Sequence, residues 1–560
     1  MHRSTILRGV LAGASTFALS ASLALAQEAL PAIDIGASRA PASARPFPGA
    51  PKDPPQGYIV HNAGSATKTD TPLIQTPASV KVIPREVIED RKVTNVREAL
   101  ESVSGVITNQ SVGSGTGFTI RGFSDNRKTF RNGLLSTSPS SFRTEFDAAN
   151  VEQVEVLKGP AAMLYGRFEP GGLINIVTKR PLDVEARHIV EQRFGSFDHY
   201  RTLWDSTGRV FDDGSVLYRF SGGYENSGSF RDFQHIDRMQ FNPSVTFRPT
   251  QDTTWTVDFE YFNQDYLADY GIPAWGKRPA PIPISRSFGD PNDKTDNMSK
   301  YHVGSELTHR FDDHWTLRNR FLASFLHSND DFLNPAPAFG DTALDYKTGV
   351  LQRDVFGQTV DAEVYTTNLD LLGNFDLLNT HHETLVGFDY LRAEGEYATF
   401  GNFDAPEPNG GYPINIFAPV YGVPRYAFDQ APGVRPNKTR DRSVFVEDQK
   451  GVYFQDHITL LEVLHIFGGG RYDWSEVVRG RGGSFDEARW NIAHSSPSVI
   501  RRDEAFSPRV GVLVQPLPWM SVYGSWTTSF GANNGVNSAN MPQPPQQAEQ
   551  FEVGVKTELL

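Results

Sequence analysis

Few residues in this 560-residue sequence are spaced for covalent chemistry. It contains no cysteine, and therefore no disulfide and no thiolate metal site. The stretch SVGSGTGF, residues 111–118, has the glycine content of a phosphate-binding loop, but such a loop should open a helix after a strand. Here it precedes the strand-like FTIRG and reads as a flexible loop. THHE, residues 380–383, gathers two histidines and a glutamate, yet it falls at a turn between two strand-like runs, where solvated polar residues are expected. No Ser/His/Asp order and no carboxylate pair stands out, so the sequence reads as that of a non-enzyme. What remains is ionic. Arg121 in IRG and Arg167 in LYGR carry planar, forked guanidinium groups, which pair with carboxylates directionally and can be made and broken as a latch. Glu549 and Glu552, near the end of the sequence, are the candidate partners.

Bulk composition narrows the setting for such pairs. The 12% aromatic content excludes a disordered chain, and the formal net charge of -13 argues against nucleic acid as a partner, because phosphate binding needs a basic face. Residues 1–26 place Arg3 and Arg8 ahead of an apolar run ending in Ala24-Leu25-Ala26, the order of a cleaved secretory signal peptide. No later segment offers roughly 20 continuous apolar residues, so no helix is expected to span a membrane. Residues 27–56 are rich in Pro and Ala and read as an extended segment, within which Ile33, Asp34 and Ile35 form a short alternating strand-former.

Two architectures follow. Residues 57–181 have the pattern of a compact α+β domain. In it, TPASVKVIPREVIEDRK gives a strand and then a short helix, Val96, Leu100 and Val103 fall at helical spacing, and GFTIRGF and VEQVEVLKG read as strands. Beyond Pro181 the period becomes two. Trp255, Val257, Phe259 and Tyr261 alternate with Thr256, Asp258 and Glu260, and Phe551, Val553 and Val555 alternate with Glu552 and Lys556. Tight turns recur near residues 213, 250, 312, 379, 461 and 517, and between them lie long polar loops such as 265–300 and 394–441. Apolar-out, polar-in strands with short turns at one end and long loops at the other describe an antiparallel transmembrane β-barrel occupying residues 182–560, with about fourteen strands. A 125-residue domain is roughly 35 Å across. A closed fourteen-strand barrel spans only about 28 Å between backbones, whereas twenty-two strands span about 44 Å. The domain therefore fits inside twenty-two strands and not inside fourteen.

The segments TPASVKVIPREVIEDRK, FTIRGFSDN, VEQVEVLKGPAAMLYGRFEPGGLINIVTKRP and EQFEVGVKTELL, in this order, resemble the successive signatures of TonB-dependent ferric-siderophore receptors, and among these the ferrichrome-receptor-like outer-membrane transporters. The resemblance implies a plug domain at 57–181 filling a twenty-two-strand barrel, of which about fourteen strands are present, so the sequence reads as truncated at its C-terminal end. Transport by these residues alone is not expected. It further implies a Gram-negative outer-membrane location, with the plug toward the periplasm and lipid around the barrel. LPAIDIGAS, containing Ile33, Asp34 and Ile35, resembles the TonB box, which adds as a strand to TonB, itself driven by ExbB and ExbD in the inner membrane. No resident cofactor is implied; iron arrives within the ferric siderophore. The region ahead of the plug is too short for a signalling domain, which favours uptake alone.

Ligand contacts are expected where this family meets its substrate: Asp125, Asn126, Arg127, Lys128, Phe142 and Arg143 on the plug, and Tyr266, Tyr270 and Trp275 on a long barrel loop. The cations would meet an acidic or carbonyl-rich chelate and the aromatic rings its apolar body. Arg121 and Arg167 would latch the plug to inward carboxylates, Glu549 or Glu552. A hydroxamate-type siderophore is the expected cargo. The alternatives are another bulky ligand imported by the same machine, such as cobalamin, haem or an oligosaccharide, or a non-transporting fragment.

Overall fold

The computed structural model describes residues 57–111, 115–124, 129–137, 145–167, 170–292, 296–335, 344–401, 412–422, 441–494, 500–531 and 544–558. The first part alternates strands and short helices: β1 (Ser79–Pro84), α1 (Arg85–Asp90), α2 (Val96–Leu100), β2 (Val106–Ser111), β3 (Gly115–Ile120), β4 (Phe123–Ser124), β5 (Thr129–Arg131), β6 (Leu134–Leu135), β7 (Val151–Lys158), α3 (Ala162–Tyr165) and β8 (Gly172–Thr178). Five of the strands form a sheet in the order β1-β7-β8-β5-β6, in which only β5 and β8 run parallel. Central β7 and β8 supply Val154, Val156, Ile174 and Ile176 to a core completed by Ile88, Leu100, Phe118 and Ile120. Asn95 starts α2 by accepting from the Glu98 amide at 3.1 Å, and Glu98 accepts in return from the Thr94 amide at 2.9 Å, so two otherwise orphaned donors are satisfied. Of the glycine-rich stretch at 111–118, Ser111 and Gly115–Phe118 belong to paired strands, with Ser111 opposite Gly115 and Thr108 opposite Phe118, and residues 112–114 lie outside the described residues.

The second part is strand after strand: β9 (Ala186–Gly195), β10 (His199–Arg209), β11 (Val216–Gly228), β12 (His235–Thr250), β13 (Thr253–Tyr266), β14 (Ala274–Trp275), β15 (Arg278–Pro279), β16 (Asp296–Arg310) and β17 (Trp315–Pro335). These are followed by β18 (Val350–Leu351), β19 (Arg353–Leu377), β20 (Thr380–Gly401), β21 (Ile414–Asn415), β22 (Asp441–Leu460), β23 (Leu464–Gly482), helix α4 (Phe485–Ala493), β24 (Arg501–Leu517), β25 (Met520–Gly531) and β26 (Gln546–Thr557). Fourteen of them make one antiparallel sheet that runs from β9 to β26 in chain order, omitting only the loop strands β14, β15, β18 and β21. Among the described residues β9 and β26 pair on one side only, so the sheet is open there. This resolves the size argument: the sheet reaches the plug from β9, through Glu191 on Lys92, to β26 without closing on it.

Its two faces follow the alternation in sequence. Phe551, Val553 and Val555 are exposed at 77%, 83% and 64%, and Val386, Phe388, Phe454 and Val512 lie on the same outer side. An outer face of this kind suits hydrocarbon, and the opposite face suits a polar lumen. The inner face carries Arg201, Arg219, Asp258, Glu260, Asp370, Glu447 and Arg471, all buried. At the loop ends, β14–β15 and β18–β21 frame a separate apolar cluster built from Ala280, Phe288, Leu344, Leu351, Ile414 and Ile416. Arg353, fully buried, donates to the Tyr412 and Phe288 carbonyls at 2.8 Å each and ties these loops to β19.

Candidate functional site: the plug and barrel interface

The plug is held to the inner wall by ion pairs on nearly every side. Arg121 has a left-handed backbone (φ 50°), which turns its side chain toward β26; there Nη1 donates to Gln550 Oε1 and Nη2 to Glu552 Oε2, each at 2.9 Å. Glu552 also accepts from Tyr523 Oη at 2.6 Å. The predicted pair Arg121–Glu552 is therefore present. Arg167 meets neither predicted carboxylate. It lies beside Glu447 of β22 at 3.5 Å and Asp503 of β24 at 3.9 Å, and donates to Ser475 Oγ at 2.8 Å. Glu549 has the parity of Phe551 and Val553, so it points outward and accepts from Trp526 Nε1 at 2.6 Å. The period-two rule already contained that outcome.

Several ionic groups that motif reasoning did not single out carry more of the interface. Arg131 of β5 meets Asp258 at 2.6 Å and Glu260 at 3.4 Å, and Asn150 donates to the same glutamate at 2.9 Å. Asp147 of the plug accepts from Arg201 at 2.7 Å and Arg238 at 3.3 Å. Lys179 pairs with Asp205 at 2.7 Å, and Arg180 with Glu306 at 3.0 Å. Lys68 donates to Tyr453 Oη at 3.0 Å beside Asp389, which Arg471 grips with both nitrogens at 2.5 and 2.6 Å. Gly451 makes room for that arginine, because a Cβ there would lie 1.9 Å from Nη2. The signal for the barrel partners was in the sequence: Asp258 and Glu260 sit on the polar face of the alternating WTVDFEYF, and a charge on that face of a plugged barrel has to find a partner.

Residues 65–76, which turn at Lys68 (φ 55°) and end in a single 3-10 turn at Leu73–Gln75, run as a strap along the wall. Its backbone carbonyls accept from barrel side chains: Ala66 from Arg509 at 2.7 Å, Thr67 from Gln455 at 3.2 Å, Lys68 from Arg318 at 2.6 Å, Leu73 from Lys556 at 2.7 Å and Ile74 from Ser521 at 2.6 Å. Thr71 Oγ1 donates to Glu383, which also meets His457 Nδ1 at 2.7 Å. The THHE glutamate thus faces inward and holds the strap, in place of the solvated role expected of it. Further up the wall a cavity of about 40 Å³ opens between plug and barrel, lined by Lys68, Phe130, Tyr165, Arg167, Asp389 and Arg471 among others.

The predicted loop aromatics divide. Tyr266 is buried at the end of β13, with its hydroxyl donating to Asp330 at 2.5 Å. Trp275 packs edge-on against Tyr346 and Phe417, with centroids 5.3 Å apart in both cases, inside the loop cluster. Only Tyr270 keeps a substantial exposed surface, beside Phe332. Ile33, Asp34, Ile35, Asp125, Asn126, Arg127, Lys128, Phe142 and Arg143 lie outside the described residues.

Comparison with known proteins matches this architecture. Residues 72–173 fit the family described as TonB-dependent Receptor Plug Domain, and residues 238–560 the family described as TonB dependent receptor-like, beta-barrel. The chain is 30% identical over 513 residues to the metal-pseudopaline receptor CntO of Pseudomonas aeruginosa, covering 90% of this chain and 68% of the relative. It is 26% identical over 525 residues to the ferrichrome outer membrane transporter/phage receptor of Escherichia coli, covering 90% and 67%. The crystal structure of the siderophore receptor PiuA from Acinetobacter baumannii superposes with a TM-score of 0.76 at 22% identity, covering 90% of this chain and 73% of that one. With a plug pinned to the lumen face of a lipid-facing sheet, and matches across most of its length, the chain belongs to the TonB-dependent receptors, a family of outer-membrane β-barrel receptors and transporters rather than enzymes.

Proposed function

We propose that the protein is the outer-membrane receptor for a ferric siderophore of the hydroxamate type, and that the cargo enters the periplasm when TonB, powered by ExbB and ExbD, pulls on Ile33–Ile35. The observation that carries the reading is the strap. Residues 65–76 follow the TonB-box-like segment in the chain and are held mainly by carbonyls on barrel side chains, so a pull from the N-terminal side loads them before the plug core. Hydrogen bonds of this kind contribute about 0.5–1.5 kcal/mol each, enough to keep the plug seated and few enough to break in sequence. The ligand contacts proposed are Asp125, Asn126, Arg127, Lys128, Phe142 and Arg143 on the plug and Tyr270 on the barrel loop. The protein needs no resident cofactor in this reading, and iron is cargo. The hydroxamate assignment is supported by the likeness of the plug signatures to ferrichrome-like receptors and by the named ferrichrome and ferrioxamine receptors among the relatives.

A second reading has its own support: the relative at 30% identity is named for a metal-pseudopaline complex, so a different metal chelate is the competing cargo. Uptake of labelled metal by source cells with and without the gene, from a panel of hydroxamate, catecholate and citrate chelates and metal-pseudopaline, separates the two. Loss confined to hydroxamates supports the first reading, and loss confined to metal-pseudopaline replaces it. Deleting Ile33–Ile35 should abolish the same uptake while leaving ligand binding intact. Uptake that survives the deletion would remove TonB from the mechanism.

A further inference from the structure

A second cavity, about 20 Å³, lies between the plug segment after β6 and strands β16, β17 and β19. Each polar side chain of its lining can donate a hydrogen bond. Lys300 of β16 is 5% exposed, and its ammonium is sandwiched between the rings of Phe146 at 4.2 Å and Phe262 at 4.6 Å; among the described residues it has no hydrogen bond and no ion pair. Glu260, Glu145 and Asp147 are near enough to act on its charge, but Glu260 is held by Arg131 and Asn150, and Asp147 by Arg201 and Arg238. His302, 2% exposed, shares Nδ1 with Ser324 Oγ at 2.8 Å; among the described residues its Nε2 has no partner, and neither has Thr137 Oγ1, on a residue 3% exposed. Ser136 completes the plug side, and Phe325, Leu326, Ala362 and Val364 close the rest with apolar surface.

Buried ammonium, hydroxyl and imidazole groups left unsatisfied each cost about 1–3 kcal/mol or more. One electron-rich atom in the cavity would satisfy several of them at once. With Ser324 donating to Nδ1, Nε2–H of His302 becomes a donor, and Lys300 and Thr137 add two more. Among the described residues no carboxylate lines the cavity, so it offers a cation no charged ligand. A volume of about 20 Å³ is enough for a single water or halide-sized particle. We propose that this cavity is a binding site for a monovalent, halide-sized anion, held by Lys300, His302 and Thr137, which fastens the plug segment Ser136–Thr137 to β16 and β17.

The test uses the full chain in detergent. Crystals grown in bromide should show an anomalous peak between Lys300 Nζ and Thr137 Oγ1. In solution, amide exchange in the plug peptide covering 129–137 should slow about tenfold when gluconate is replaced, at constant ionic strength, by bromide at ten times its Kd. Thr137→Val, which keeps the shape and removes the hydroxyl, should weaken this protection, and Lys300→Met should abolish both the protection and the peak. If Lys300→Met fails to fold, Thr137→Val alone carries the comparison. A water in place of bromide, a bromide peak without any solution effect, or equal protection in gluconate and bromide would each overturn the assignment.

Discussion

Arg167 of the plug and Glu447 of β22 face each other across 3.5 Å with both side chains 1% exposed, whereas Arg121 and Glu552 meet at a shorter 2.9 Å with the arginine still 35% exposed. Burial, not distance, decides which pair matters more. Removing one partner of a buried pair leaves an uncompensated charge and costs about 3–5 kcal/mol, whereas a part-exposed pair is worth roughly 0–1 kcal/mol. Arg167→Ala should therefore loosen the plug far more than Arg121→Ala. Amide exchange in β7 and β8, followed in urea, measures it; equal effects of the two variants would mean that neither pair acts as a latch.

The strap gives a second expectation. Ser521 Oγ is buried and donates to the Ile74 carbonyl, and Lys556 Nζ donates to that of Leu73. Ser521→Ala leaves a buried acceptor unsatisfied, at about 1–3 kcal/mol. With Lys556→Met added, exchange in the peptide covering 65–76 should accelerate by roughly tenfold or more, while β7 and β8 stay protected. Acceleration throughout the plug would show that strap and core open as one unit.

How far the sequence reached depended on which physical signal each feature leaves. Alternation is a strong one: the turns near Asp213, Thr250, Asp312, Leu378, Leu461 and Leu517 all fall between paired strands, and Phe551, Val553 and Val555 face outward as their spacing requires. Pairing across hundreds of residues leaves no local trace. Arg167 could be read as a latch, but its partners, 280 and 336 positions away on β22 and β24, are fixed by the order of the sheet. Trp275 shows a related limit: an aromatic residue in a long loop fits a ligand wall and a loop core equally well, and its packing on Tyr346 and Phe417 from two other loops leaves no trace in its own segment.

That loop core sets a third expectation. Trp275→Ala removes a ring packed against Tyr346 and Phe417, and a cost of about 3–5 kcal/mol is typical of emptying such a site. Limited proteolysis should then cut the loops around 272–288 and 412–421 faster in the variant, with the barrel intact. Ligand affinity should fall only through this loosening, so a second variant, Arg353→Met, which strips the Phe288 and Tyr412 carbonyls of their donor without touching Trp275, should reproduce both effects. A loss of affinity in Trp275→Ala without faster proteolysis would return Trp275 to the ligand wall.

The turn Pro170-Gly171 leads into β8 at Gly172. Gly172 has φ 131°, where side chains are strained, and a Cβ there would sit 2.2 Å from the Leu157 carbonyl oxygen and 3.1 Å from Lys158 Cα. Both contacts are backbone and cannot swing away. Gly172 is also the point where β8 begins to pair with β7, so relief of the clash must come from parting the two strands that supply Val156 and Ile174 to the plug core. Gly468 of β23 is the natural control, since a Cβ there meets nothing within 4 Å and points to open space. Gly172→Ala should destabilise the plug by several kcal/mol, on the order expected for strained backbone combined with a disrupted sheet, while Gly468→Ala should be close to neutral. Urea unfolding followed by plug amide exchange distinguishes them, and equal midpoints for the two variants would mean that β7 and β8 are not the framework on which the plug is held.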